Sequence, residues 1–201
     1  MWNNFVEKLT TVQAGRNTNI VLMFNPRLDL LPLPITRFDD PFFPFGKQVI
    51  DATQDMICAY MFDLASYMAL GAAGVIALER TIGYIAHQTP TILHAPFTGT
   101  AYSRAMDRTA FDVDALTITD AADLNFYIKN PPHAAFVTQS NEVDTEAHPK
   151  QGGIFWQDAD AMTLIVNNQI RLLQVTTNEV LFAGKLDNFT DDIRSAIEAM
   201  R

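Results

Sequence analysis

His94 and Asp63 are the pair in this chain whose types and placing come nearest to chemistry. Each ends an apolar run that reads as a β-strand, and in α/β folds reactive groups collect at the carboxyl ends of strands. A neutral imidazole oriented by a carboxylate is an acid/base pair. A hydrogen-bonded structural histidine would use the same two residues. Their neighbours at the strand ends, Met61, Phe62, Pro96 and Phe97, are a poor set for catalysis. Other constellations point less far. Asp51 and Asp55 are four apart on a predicted helix; such a pair can hold a metal or move protons, and on an exposed helix it is simply solvated. His87, His133 and His148 fall near predicted loops without paired-ligand spacing, which argues against zinc. Ser66, Ser103 and Ser140 lack the Gly-x-Ser-x-Gly setting of a serine hydrolase. Gly71 and Gly74 bear a faint likeness to a nucleotide loop, but they lie in a helix entry, where close packing explains small residues.

The elements that must position His94 and Asp63 are a strand over 57–64, a helix over 71–86 and a strand over 91–95. Val75, Leu78, Ile82 and Ile85 form one helical stripe with Glu79 and Arg80 off it. Pro90 cannot continue that helix. Strand, helix and strand of these lengths make one right-handed parallel crossover. Ahead of it, the spacing predicts a helix over 3–14, a buried strand over 19–24, and a helix over 47–56. Between them, 26–46 carries five prolines and four phenylalanines. Proline at that density excludes regular helix. Its aromatics either pack over the end of the core or form a lid or dimer contact. After the crossover come a helix over 102–111, a strand over 115–119, a helix over 121–129 and a strand over 134–138. Five β-α repeats in this order indicate a parallel sheet or barrel. Beyond a polar loop over 139–153, short strand-like runs at 153–156, 162–166, 170–175 and 179–183 leave no room for helices, so antiparallel pairing is expected there, with Asn167-Asn168 as a hairpin turn. A helix over 188–201 closes the chain.

The whole chain, 201 residues with 48% hydrophobic side chains, is enough for one domain with a substantial core. Its net charge of -9 argues against a nucleic-acid surface. Cys58 is the sole cysteine, so no intrachain disulfide can form and a reducing, cytoplasmic compartment is expected. The opening MWNNFVEKL lacks the pattern of a secretory signal, and no apolar run is long enough to cross a membrane.

The stretch VIDATQDMICAYMFDLASYMALGAAGVIALERTIGYI, followed by TILHAP, YSRAM and FDVDALTI, resembles the orotidine 5′-phosphate decarboxylases, specifically their longer bacterial branch. NIVLMFNP and AAFVTQSN match more weakly, and the likeness covers roughly residues 3–141 and the last helix. The resemblance implies a (β/α)8 barrel that removes CO2 from a nucleotide without metal or cofactor. It implies dimers with the site at the interface. It also implies aspartates and lysines at the strand ends, including Asp-x-Lys-x-x-Asp after the third strand, which stabilise a carbanion electrostatically. Position by position, this chain departs from that set. Asn25 stands for the Asp after the first strand and Met61 for the Lys after the second. His94, Pro96 and Gly99 replace the three charged residues of the motif. Ser140, matching a serine that contacts the pyrimidine, is retained.

Two readings follow. In the first, the chain is a non-catalytic relative acting in ligand binding or assembly: a homo-oligomer, a dimer by resemblance, with a pyrimidine nucleotide as candidate ligand and no nucleic-acid or membrane partner. In the second, it is an enzyme with altered chemistry around Asn25, Asp63, His94 and Ser140, or one with residual decarboxylation. The expected fold is α/β, barrel-like over 19–141, truncated or remodelled with antiparallel strands over 153–201.

Overall fold

The structure, a computed structural model, describes residues 5–95, 97–118, 134–137, 154–156, 161–166 and 169–201. Eight strands close into a barrel: β1 Ile20–Phe24, β2 Ala59–Asp63, β3 Thr91–His94, β4 Ala115–Ile118, β5 Ala134–Val137, β6 Ile154–Trp156, β7 Ala161–Val166 and β8 Gln169–Val175. β1 to β6 run parallel in sequence order. β7 runs backwards between β6 and β8. β8 then pairs with β1 in parallel, Ile20 beside Gln174 and Val21 beside Val175.

This closure corrects the expected truncation, and it confines the expected antiparallel block to one reversed strand among those described. β6 belongs to the parallel run, and β8 restores its direction. The physical reason lies in connection length. A parallel neighbour needs a crossover of a dozen or more residues, whereas a reversed strand needs only a tight turn. With four residues between β6 and β7 and two between β7 and β8, the chain reaches β1 without further helices.

Side chains alternate along each strand and so build two layers of core. Outward-facing Leu22, Phe24, Tyr60, Phe62, Leu93 and Leu116 pack under the helices. Inward-facing Val21, Ala59, Met61, Ile92, Ala115 and Phe136 fill the barrel. Helix α1, Phe5–Arg16, seals the foot of the barrel, with Phe5, Leu9 and Val12 joining the inner layer. The Phe5 ring meets Phe136 edge-on at 5.6 Å. Lys8 on the same helix pairs with Asp114, just ahead of β4, at 2.7 Å.

Helix α2 spans Phe42–Thr53, starting within the segment where proline density argued against helix. Pro44 lies in its first turn, where a missing N–H breaks no intrahelical bond. Phe45 N–H donates to Pro41 O at 3.0 Å. Phe42 and Phe45 are thereby buried, while Phe43 stacks on the Arg80 guanidinium, 4.0 Å from its carbon, and Phe38 stays exposed. Helix α3, Leu64–Met68, and helix α4, Ala72–Tyr84, follow β2. Gly71 between them adopts φ +65°. The expected helix over 102–111 is a shorter 3-10 segment, Thr100–Met106. The expected strand over 179–183 is instead helix α5, Asn178–Leu181; a short apolar run fits either pattern. Helix α6, Phe189–Glu198, completes the outer layer. The predicted helix over 121–129 lies outside the described residues. Among those described, no helix is long and apolar enough to cross a membrane.

Candidate functional site

The strand ends place three of the four expected site residues around the carboxyl mouth of the barrel. Asp63 and His94 are direct register partners on β2 and β3. Asn25 follows Phe24, whose partner is Phe62, so Asn25 sits beside Asp63 on the first strand. By alternation with Met61 and Ile92 beneath them, Asp63 and His94 belong to the inward-facing set. Ser140 and Pro96 lie outside the described residues. Met61 is fully buried in the inner core, and Gly99 opens the 3-10 segment after β3.

Asp63 has a structural task. Its Oδ2 accepts hydrogen bonds from the Ser66 N–H at 3.1 Å and from the Ser66 hydroxyl, which makes it the N-cap of α3. Asn25 Oδ1 is buried with no hydrogen-bond partner among the described residues. Two threonines stitch the rim: Thr176 Oγ1 accepts from Met23 N–H, and Thr117 Oγ1 accepts from Ala95 N–H, each at 3.0 Å. Thr117 is the neighbour of His94 across the β3–β4 pair, and sequence reasoning missed both threonines. A hydroxyl that repairs a strand end leaves no trace in residue spacing.

Burial lowers the His94 pKa from its ordinary 6.5, and the nearby Asp63 charge offsets only part of that. The imidazole is therefore neutral at pH 7. The unfolded chain takes up the proton first as pH falls below about 6.5, so stability drops from there down to the lower folded value. Replacing His94 with Gln is expected to flatten this acid loss of stability, read as Tm against pH for both proteins. Parallel curves would show that His94 is not the group responsible.

Each described lysine is already engaged by another group. Lys8 is held by Asp114 at the foot, Lys47 by Asp51 on α2 at 2.7 Å, and Lys185 by the Leu30 carbonyl beside the Phe182 ring. Asp51 and Asp55, the candidate carboxylate pair, are both ion-paired. Asp51 also accepts from the Tyr84 hydroxyl at 2.7 Å, and Asp55 is bound by Arg194, which holds its carboxyl below the usual range. Among the described residues, no group of three or more His, Cys, Asp or Glu could hold a metal ion. Phe62 does not enter the mouth, because it stacks outward on Phe24 at 5.2 Å. Phe97 is 60% exposed. Two cavities, of about 810 and 730 Å³, lie at the opposite end, among Phe5, Lys8, Thr91 and Asp114, and among Arg16, Asn19 and Arg201. That end of such barrels carries stability, whereas reactions occur at the other.

The chain is similar to the orotidine 5′-phosphate decarboxylase of Thermomicrobium roseum, 35% identical over 120 residues, 57% of this chain and 42% of that protein. It is 33% identical over 123 residues to that of Herpetosiphon aurantiacus, 57% of this chain and 45% of that protein. The chain is related to the orotidine 5′-phosphate decarboxylases. It spans less than half the length of these two curated relatives. A putative orotidine-monophosphate decarboxylase from Toxoplasma gondii shares the fold, with a TM-score of 0.61 at 21% identity over 73% of this chain and 52% of that one. No family model matches the chain.

Proposed function

We propose that this chain is a non-catalytic relative of the orotidine 5′-phosphate decarboxylases, a single domain that acts by binding a ligand or by assembling. One observation carries the reading. The strand ends present Asn25, Asp63 and His94, and every described lysine is already engaged: Lys8 and Lys47 by carboxylates, and Lys185, on a mouth-side loop, by the Leu30 carbonyl. Decarboxylation leaves an electron pair on the ring, which needs a positioned cation or proton donor. A neutral imidazole beside a carboxylate already committed to a helix cap is a weak substitute. Self-association, as a homo-oligomer, is supported by exposed apolar side chains on the loops at the mouth end, Leu28, Leu33 and Leu186 among them. The single cysteine, buried and unpaired, suits a cytoplasmic setting.

The test is a decarboxylation assay on the purified chain with orotidine 5′-phosphate, followed by CO2 release. The expected result is no turnover above the uncatalysed background. Turnover that disappears in His94→Ala would overturn the proposal. It would favour the second reading, an enzyme using Asn25, Asp63, His94 and Ser140, for which the Asp63–His94 register is the supporting observation.

A further inference from the structure

We propose that the larger cavity at the foot of the barrel is a binding site for an uncharged, mostly apolar small molecule with one hydrogen-bond acceptor, of the kind an aryl ketone represents. The site lies at the pole opposite Asn25 and His94, so it is independent of anything held at the mouth.

The cavity holds about 810 Å³, within the range of small-molecule sites, roughly 300–1,000 Å³. Three stretches build its walls. Phe5 comes from α1, Ile82 and Ile85 from the end of α4 and its cap, and Met106, Phe111 and Val113 from the turn ahead of β4. Two aromatic rings and a thioether suit a flat ring as occupant. Gly83 also lines the cavity, and a Cβ there would meet nothing within 4 Å, so open space lies directly beside the helix.

The polar part of the lining is the Lys8–Asp114 pair. The Lys8 side chain is 9% exposed. An ammonium carries three N–H groups. Two are used on the Asp114 oxygens, at 2.9 and 2.7 Å, and the third has no acceptor among the described residues. A buried donor left in that state is costly, so an occupant with a carbonyl or ether oxygen gains what the fold leaves unsatisfied. A cationic ligand has no lone pair to give Lys8. A carboxylate would stand against Asp114, in partly desolvated surroundings where repulsion is weakly screened. At the exposed rim, Asp107 and Asp112 outnumber Arg108, which also disfavours an anion. An uncharged acceptor on an apolar body is what remains.

The experiment is an NMR titration of the full chain, observing the Ile, Val and Met methyls, with acetophenone, ethylbenzene and benzoate as probes. Acetophenone is expected to shift the methyls of Ile82, Ile85, Met106 and Val113 saturably. It should bind at least about threefold more tightly than ethylbenzene, which lacks the acceptor, and about tenfold more tightly than benzoate. Gly83→Phe, which puts a ring into the open space, is expected to weaken acetophenone about tenfold without lowering Tm, because glycine is the poorer helix former. Shifts no larger at those four residues than at the exposed Ile76 and Met68 would overturn the site, and this comparison needs no variant. No saturation by acetophenone at millimolar concentration would overturn it too. Unchanged affinity in a folded Gly83→Phe would overturn the placement in this cavity. Ethylbenzene or benzoate binding as tightly as acetophenone would overturn the assigned ligand chemistry.

Discussion

Gly74→Ala is expected to destabilise the fold by about 3 kcal/mol, the upper range for forcing an extra methyl into a packed site. The ordinary effect of this exchange inside a helix has the opposite sign, because alanine is favoured over glycine by about 1 kcal/mol. Geometry decides the outcome. A Cβ on Gly74 would lie 1.8 Å from the Tyr67 carbonyl oxygen and 2.8 Å from its carbon. That carbonyl is backbone, and it already accepts from Leu70 N–H at 3.2 Å. Relief therefore requires α3 and α4 to move apart. Tyr67 cannot follow freely, since its ring is buried and meets Phe42 edge-on at 5.8 Å. α3 is also tethered at its start by Asp63, so the displacement would reach the mouth. Denaturant titration should show a lower midpoint with an unchanged slope. The fall in Tm should be roughly 6–12 °C for a chain of this size. A change of less than 2 °C would mean that the two helices are not held as close as described.

Asp114→Ala is the second large effect, at about 3 kcal/mol or more. Asp114 gathers four hydrogen bonds at the foot of the barrel. Lys8 Nζ donates to its two oxygens at 2.9 and 2.7 Å, and Thr91 donates through its backbone N–H at 2.8 Å and its hydroxyl at 3.0 Å. Removing the carboxylate strands an ammonium on a residue that is only 7% exposed. It also frees a backbone donor at the start of β3. The uncompensated charge dominates, so Asp114→Asn, which keeps acceptors for Thr91, is expected to lose less. Adding Lys8→Met to Asp114→Ala should recover part of the loss, because apolar replacement of both partners removes the buried charge. Additive losses in the double variant would show that the two side chains do not depend on each other.

The parts of the fold that could be read from residues were those governed by local rules. The 3.6-residue stripe through Leu78 and Ile82 gave α4, whose buried face does include both. The aromatic run around Tyr60 gave β2, trimmed at each end to Ala59–Asp63. Closure was not legible, because it depends on Val21 meeting Val175 across most of the chain. The start of α2 was hidden because Pro44 signals a break in general and is harmless in a first turn. At the mouth, residue type suggested an Asp63–His94 pair, and the register brings the two side by side. What spacing could not show was that Ser66 already claims the carboxylate, or that Asn25 is left without a described partner. Both depend on how backbone ends are capped, and capping is settled in three dimensions.

The Arg201 guanidinium donates to the Arg16 carbonyl at 3.0 Å, which pins the last residue against the plug helix at the barrel's foot. Arg201 and the ring of strand termini that carries Asn25 and His94 thus face opposite poles of the molecule. Immobilising the chain on a sensor chip through that last residue would leave the ring of termini turned toward the flowing solution. Attachment near Leu28 or Leu33 would bury it against the matrix. The polarity of the barrel thereby dictates which tether can report on small-molecule capture at the mouth and which can only report on the tether itself.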